Sequence, residues 1–273
     1  MRIVTLNTWG GRVYEPLRAW LRDIDADIYC LQEVFSSQEY GFYSDEVPEG
    51  RQGDPLIRVN LFEEVQKILP DHRGMMLPQC RWQVHNTFKK EEPLCQLGIA
   101  TFVRKGILMG KGQSGFVYQE YREIPQTELP TPRVAHAVRI IPAAGRPVVV
   151  AHMHGLWIRE GKHDTLERVK QAELFLSLIE SVCEVGDSVV ACGDFNVLPN
   201  SATLPILQGL HDLVVRGGHT STRTPLYYNS RGKKDLPRFA DYMLVSPGVK
   251  VEKFDVVHEP IISDHCPLVL DIE

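Results

Sequence analysis

The residues that invite a chemical reading sit where apolar runs stop. Val189-Val190-Ala191-Cys192 passes into Gly193-Asp194-Phe195-Asn196, and in an extended chain Asp194 and Asn196, two apart, share a face. Ile28-Tyr29-Cys30-Leu31-Gln32-Glu33 ends in a carboxylate and Thr5-Leu6-Asn7 in an amide. Val148 to Ala151 leads into His152-Met153-His154, whose two imidazoles share a face and have the chemistry to bind zinc or a phosphate. Toward the C-terminus, Asp241 stands before Tyr242-Met243-Leu244-Val245, and Ser263-Asp264-His265 before Cys266-Pro267-Leu268-Val269-Leu270. Carboxylates gathered in one place repel one another unless a cation sits among them. Hard oxygen donors select Mg²⁺ or Mn²⁺ over zinc. Such an ion, with water positions left open, clamps a phosphate and stabilises the charge that builds on its oxygens.

Strands must bring these ends together. Short, apolar, β-branched runs recur at Ile3 to Leu6, Ile28 to Leu31, Leu97 to Val103, Val134 to Ile141, Val148 to Ala151, Ser188 to Cys192, Tyr242 to Val245 and Leu268 to Ile272. Helical spacing predicts covers for the sheets at Leu17, Trp20, Leu21 and Ile24, and at Leu61, Val65, Ile68 and Leu69. A third helix is expected after Asp164 as N-cap, with Leu166, Val169, Phe175, Leu178, Ile179 and Val182 on its buried face. Ser36 to Gly53 and Gln119 to Pro132 read as polar surface loops of the kind that shape a cleft. No repeat or flexible linker divides the chain, so residues 1–273 are expected to form a single domain.

Composition sets the outer bounds. The chain has 273 residues, 43% of them hydrophobic and 24% charged, which excludes a disordered or fibrous protein. A formal charge of -5 gives no global attraction to nucleic acid or anionic lipid. The nearest basic clusters are Lys89-Lys90 and Arg231-Gly232-Lys233-Lys234 with Arg238. Six cysteines without a C-x-x-C pair read as buried thiols rather than a zinc or redox centre. No apolar stretch approaches the roughly 18 residues of a spanning helix and the start has no signal-peptide pattern, so a cytoplasmic protein is expected.

Taken in order, Asn7 in Leu-Asn-Thr-Trp, Glu33 in Leu-Gln-Glu-Val, His154 after a strand, Gly193-Asp194-Phe195-Asn196, Asp241 in Asp-Tyr-Met, and Ser263-Asp264-His265 resemble the endonuclease/exonuclease/phosphatase superfamily. The resemblance runs from residue 7 to residue 265. It implies an α/β fold, a four-layered αββα sandwich with two mixed β-sheets face to face and helices outside. It also implies a Mg²⁺-dependent (or Mn²⁺-dependent) hydrolase of phosphate esters, with Glu33 as principal metal ligand and Asn7 and Asp264 completing the site. Asp194 would orient or deprotonate the attacking water, and Asn196 would hold that water or a phosphate oxygen. Asp241 would hydrogen-bond His265, and His154 would donate to a phosphate oxygen or assist the leaving group; whether Asp194 or His265 takes the water's proton stays open. Arg168 and Gln171 echo a family pattern and are expected to tie helix to loop, while His152 stands where many relatives have Asn. For substrate, a small-molecule or lipid-headgroup phosphoester is favoured over nucleic acid on net charge. A nuclease, or a non-catalytic binding module on the same fold, are the alternatives.

Overall fold

A computed structural model describes residues 1–37, 42–43, 57–84, 94–125, 129–207, 209–231 and 236–273. Lys89-Lys90, Gly232 to Lys234 and most of the expected loop from Ser36 to Gly53 lie outside them. Seven strands form one sheet in the order β14 (Val251–Val256), β15 (Leu268–Ile272), β1 (Arg2–Asn7), β2 (Ile28–Ser36), β6 (Leu94–Arg104), β5 (His72–Gln83) and β8 (Glu123–Ile124). Six form the other: β12 (His211–Asp212), β13 (Asp241–Val245), β11 (Ser188–Asp194), β10 (Val148–His154), β9 (Arg133–Ile141) and β7 (Leu108–Tyr118). A two-strand ribbon, β3 (Phe42–Tyr43) with β4 (Ile57–Arg58), stands apart. Both large sheets are mixed, with β1 and β2 parallel in the first and β10 and β11 parallel in the second.

Strand alternation decides which residues meet between the sheets. Ile3, Ile28, Cys30, Val148, Val150, Val190, Cys192, Met243 and Val245 belong to one buried cluster that joins the two inner faces. Their neighbours face outward. Val4, Leu6, Tyr29 and Leu31 pack under α1 (Tyr14–Asp23) and α2 (Leu61–Ile68), through Leu17, Trp20, Leu21, Leu61 and Val65. Val149, Ala151, Met153 and Ala191 pack under α3 (Leu166–Val182), through Phe175, Leu178, Ile179 and Val182. Two short helices, α4 (Leu213–Arg216) and α5 (Pro225–Arg231), follow. The order helix, sheet, sheet, helix is the expected four-layered α/β sandwich. Among the described residues, no helix is long and apolar enough to cross a membrane.

Several local expectations are corrected. The cap of α3 is Thr165, whose side chain accepts from Arg168 N; Asp164 instead accepts from Ala202 N at 2.9 Å and from the Ser201 hydroxyl. Leu166 is 85% exposed, because Arg168 and Gln171 take the inward positions of the first two turns. The expected loop from Gln119 to Pro132 contains β8, which pairs with Arg81 and Trp82 of β5. The six cysteines are free thiols, and all but Cys183 are buried.

One step above the apolar layer, the inner faces turn polar. Gln32 Nε2 lies 3.3 Å from His152 Nδ1, His152 Nε2 lies 2.8 Å from Thr101 Oγ1, and that oxygen lies 2.9 Å from His136 Nδ1. Both nitrogens of His152 are thereby satisfied within the protein, so it is not free to bind zinc or phosphate. Burial pushes His136 down to about 4, and burial, then the neighbouring His136, pushes His152 well below the usual imidazole range.

Two predictions follow from this packing. The imidazole of His136 is neutral when folded and takes a proton near 6.5 when unfolded, so its contribution to stability is present above pH 6.5 and lost as pH falls toward 4. Urea unfolding at stepped pH is expected to show that fall, and His136→Gln a shallower one. Gly193 has φ +129°, and a Cβ there would sit 2.2 Å from Met153 O, whereas at Gly186, φ +90°, a Cβ meets nothing within 4 Å. Gly193→Ala is expected to lower the melting temperature well beyond Gly186→Ala, which carries only the backbone strain of about 1 kcal/mol or more.

Candidate active site

The parallel strands β1, β2, β10 and β11 end at the same edge of the sandwich, and the inner-face alternation continues into that edge. Asn7 follows Thr5 and Ile3, His154 follows His152 and Val150, and Asp194 follows Cys192 and Val190. Register puts His154 beside Asp194, and Asp194 beside Asp241 at the start of antiparallel β13. Glu33 reaches the same place by a different device. Two-residue alternation would turn it away from Gln32 and toward the helices, but the β2 ladder slips between Leu31 and Val34 and Glu33 takes φ +53°. That bulge re-aims its carboxylate inward.

Asn7 joins the two sheets here. Its Nδ2 donates to Glu33 Oε1 and to Asp194 Oδ2, both at 3.0 Å, while its Oδ1 accepts from Trp9 N at 3.0 Å. Asp194 Oδ1 accepts from Asn196 N at 3.0 Å, and Asn196 takes φ +54°. The chain therefore does not stay extended from Asp194 to Asn196, as the two-apart reading assumed, yet both side chains line one cavity of about 580 Å³. Glu33, His154, Asp264 and His265 line it too, and buried Asn7 and Asp241 stand directly behind. All eight residues singled out for the site therefore meet at one place.

His265 Nδ1 lies 2.9 Å from both oxygens of Asp241, and the Arg223 guanidinium bonds its Nε2. An arginine has only protons to give, so Nε2 must present its lone pair and Nδ1 must carry the hydrogen donated to Asp241. Burial, then the charge of Arg223, pushes the imidazole down to about 3. His154 is held neutral in the same way, by burial and then by Arg133. Its Nε2 stands 3.9 Å from Glu33 Oε1 and 3.8 Å from Asp194 Oδ2, beyond hydrogen-bond reach, and its Nδ1 is buried without a partner. Glu33 is pushed the other way, up to about 7, first by desolvation and then by the negative charge of Asp264.

A divalent ion fits this donor set. Glu33 and Asp264 bring two carboxylates to one cavity, where each opposes the other's ionisation, and a third of the Glu33 side chain still faces it. Donor atoms of Asp194, Asp241 and His265 also lie within 4.8 Å of one another, close enough to hold a metal. Both oxygens of Asp241 are engaged by His265, and Asp264 Oδ2 by Arg223, which leaves Glu33 the most open of these carboxylates.

The sequence reading missed three cations. Arg223 bonds Asp264 Oδ2 at 3.3 Å as well as His265, and Thr222 and Thr224 strap the same segment to Asp241 N and to Ser263 O. Arg133 donates to Gly155 O at 2.8 Å, and Lys162 to Phe239 O at 2.7 Å; burial, then the charge of Arg223, brings Lys162 down to about 7. A charged residue opening the apolar run Val134 to Ile141 was a signal for Arg133; nothing in His219-Thr220-Ser221-Thr222-Arg223 marked the arginine. Arg168 and Gln171 do tie helix to loop: Arg168 donates to Gly161 O and Leu156 O, and Gln171 Oε1 accepts from Leu156 N. Four arginines line the cavity against three carboxylates, so its local charge does not follow the net charge of -5.

Comparison with known proteins bears on this arrangement. The profile of the Endonuclease/Exonuclease/phosphatase family matches residues 4–265. No curated protein sequence matches the chain. Among solved structures, an endonuclease/exonuclease/phosphatase family protein from Bacteroides thetaiotaomicron superposes with a TM-score of 0.68 at 15% identity, covering 100% of this chain and 94% of that one. A mannosyl-6-phosphatase from the same organism gives 0.65 at 14%, covering 100% and 99%. The human Nocturnin catalytic domain with bound sulfate gives 0.62 at 18%, covering 100% and 93%.

The Asn7 bridge makes a testable demand. Without its amide, the carboxylates of Glu33 and Asp194 face each other unscreened once Glu33 ionises. Asn7→Ala is expected to lower the melting temperature more at pH 8.5 than at pH 5.5, where Glu33 is protonated, with a loss at the higher pH of about 1–3 kcal/mol. Thermal denaturation at the two values checks the difference.

Proposed function

Because this chain belongs to the endonuclease/exonuclease/phosphatase family, we propose that it is a divalent-metal-dependent phosphoesterase. In this reading it hydrolyses a phosphate mono- or diester of a small organic or lipid-headgroup molecule, by attack of water at phosphorus. One observation carries it: Glu33 of β2, His154 at the end of β10, Asp194 at the end of β11 and His265 just before β15, drawn from both sheets, converge on a single cavity.

Glu33 and Asp264, with Asn7 in support, would hold the ion, Mg²⁺ being favoured and Mn²⁺ the alternative. When bound, the ion supplies positive charge at a phosphate oxygen. The remaining work falls to the protein. His154, neutral and with Nε2 facing the space between Glu33 and Asp194, donates to a phosphate oxygen seated there. Asn196, whose Oδ1 is buried without a partner, accepts a hydrogen bond from one O–H of the attacking water. Asp194 takes the one proton the water loses as its oxygen bonds phosphorus, because the lone pair of His265 Nε2 is already engaged by Arg223, a group that does not give up its proton. The bond to the leaving oxygen breaks, and that oxygen is protonated from solvent. The Asp241–His265–Arg223 chain stabilises the charge of the transition state.

The test uses protein stripped with chelator and resupplied with Mg²⁺ or Mn²⁺, assayed on p-nitrophenyl phosphate and bis(p-nitrophenyl) phosphate. Metal-restored hydrolysis of one of them is expected. Glu33→Ala, Asp194→Asn and His265→Ala should each lower kcat by about two orders of magnitude or more while the circular dichroism spectrum is retained. Glu33→Ala should also weaken Mn²⁺ binding followed by electron paramagnetic resonance. Near-normal turnover in any folded variant removes that residue from the mechanism. The absence of metal-restored hydrolysis across phosphate esters returns the chain to a binding module.

A further inference from the structure

A second cavity, of about 490 Å³, has Arg223 in its wall together with Tyr228, Asn229, Arg238 and His258. Arg223 also lines the catalytic cavity, so one side chain borders both. Their charge differs. The first holds three carboxylates; the described lining of the second has none, only two guanidiniums, an imidazole and neutral groups, in a chain of formal charge -5. Arg238 belongs to the basic cluster that the sequence set apart, and the catalytic cavity does not use it. It is exposed, as is His258.

Arg223 is the buried member, 6% exposed. Its Nη1 holds Asp264 Oδ2 and His265 Nε2, and its guanidinium lies over the Tyr227 ring, 4.1 Å from the centroid. Its Nε is buried and has no acceptor among the described residues. In a planar guanidinium the Nε–H points away from Nη1, along the edge that grips a phosphate or carboxylate with two parallel bonds. A buried donor without an acceptor costs free energy, which a ligand that accepts from it relieves. His258 supplies a further donor. Its Nδ1 lies 3.4 Å from Cys266 Sγ, and burial pushes that thiol up to about 12, so the sulfur keeps its hydrogen. With the thiol donating to Nδ1, the neutral imidazole carries its own hydrogen on Nε2.

We propose that this second cavity binds a phosphate group between Arg238 and His258, against the open edge of Arg223, and that its occupancy is felt at the catalytic centre through Arg223. The ligand is free phosphate or the phosphate of an organic monoester, since both present the same dianion to these donors. One guanidinium then has anions on two sides. Drawn toward the phosphate, it holds Asp264 and His265 less firmly, and the coupling acts equally in the other direction. Only the effect on turnover rests on the phosphoesterase reading; the binding does not.

Inorganic phosphate and glycerol 3-phosphate are titrated by calorimetry into the metal-free protein at fixed ionic strength. Arg238→Ala is expected to weaken binding by about 10-fold or more, and His154→Ala, in the other cavity, by less than about 2-fold. Absence of binding to the wild type, affinity unchanged in Arg238→Ala, or affinity lost in His154→Ala instead overturns the site. His258→Ala, at a second exposed position, decides the matter if Arg238→Ala does not fold. Whichever of the two compounds binds more tightly identifies the source of the phosphate. Coupling is read from the imidazole nitrogen-15 resonances of His265, which phosphate is expected to shift in the wild type and not in Arg238→Ala; an unmoved signal at saturation overturns it. On the Mg²⁺-loaded protein turning over bis(p-nitrophenyl) phosphate, inorganic phosphate should lower kcat by about 3-fold or more, whereas a ligand confined to the catalytic cavity raises KM alone. Binding controlled by Arg238 with no turnover of any ester keeps the second site and rejects the phosphoesterase reading. Turnover without such binding does the reverse.

Discussion

The carboxamide of Asn7 holds one carboxylate from each sheet, and the rest of the candidate site depends on that contact. Its two N–H bonds fix Glu33 of the first sheet and Asp194 of the second at the same depth, so the separation of the sheets becomes the spacing of the carboxylates. Replacing it by two independent anchors would let each oxygen follow the movements of its own sheet. The contact is possible because the inter-sheet space runs from wholly apolar, at Ile3 and Val148, through the Thr101 and His152 layer, to wholly polar at Asn7 and Asp194. Each layer is one inner-face step further along strands that share a direction. A core with this gradient stabilises the fold at one end and presents polar groups, already desolvated, at the other.

Desolvation also explains the charge states. The imidazoles are neutral because burial opposes protonation and the nearby arginines add to it, and the Glu33 carboxyl is raised because burial and Asp264 both oppose its ionisation. Buried cations and anions therefore sit close together without cancelling one another locally. Arg223 binds the Asp264 and His265 side, while Glu33 accepts from the neutral Asn7 amide. The side left short of positive charge is the one open to the cavity, which is where an ion or an incoming ligand has access.

Much of this was legible in the sequence because strands write their faces with period two. All eight expected strands are present, and the polar residues that close Ile3 to Leu6, Ile28 to Leu31, Val148 to Ala151 and Ser188 to Cys192 do stand together. What the pattern hid has physical causes. β5 carries Gly74 and Pro78, with a bulge at the proline, and β7 is a glycine-rich edge strand with two register shifts, so neither shows apolar alternation. Glu33 falls on the wrong face by alternation, and only the bulge, a tertiary feature, turns it inward. Arg223 was invisible because its partners Asp264 and His265 lie 41 and 42 residues on, and its own neighbours are ordinary loop residues. Asp164 looked like a cap because it precedes the helix; Thr165, one residue later, fills that place and frees Asp164 to hold Ser201 and Ala202.

β1 lies inside its sheet with β2 on one side and β15 on the other, and the ammonium group of Met1 donates to Ile272 O. The strand that carries Asn7 therefore has one of its two neighbours at residues 268 to 272, and Asp264 and His265 lie just before that neighbour. Arg2 faces Asp271 in that pairing, so a contact of very long sequence separation joins the two halves of the cavity. Unpairing β1 from β15 would therefore part the Asn7 and Glu33 side of the cavity from the Asp264 and His265 side.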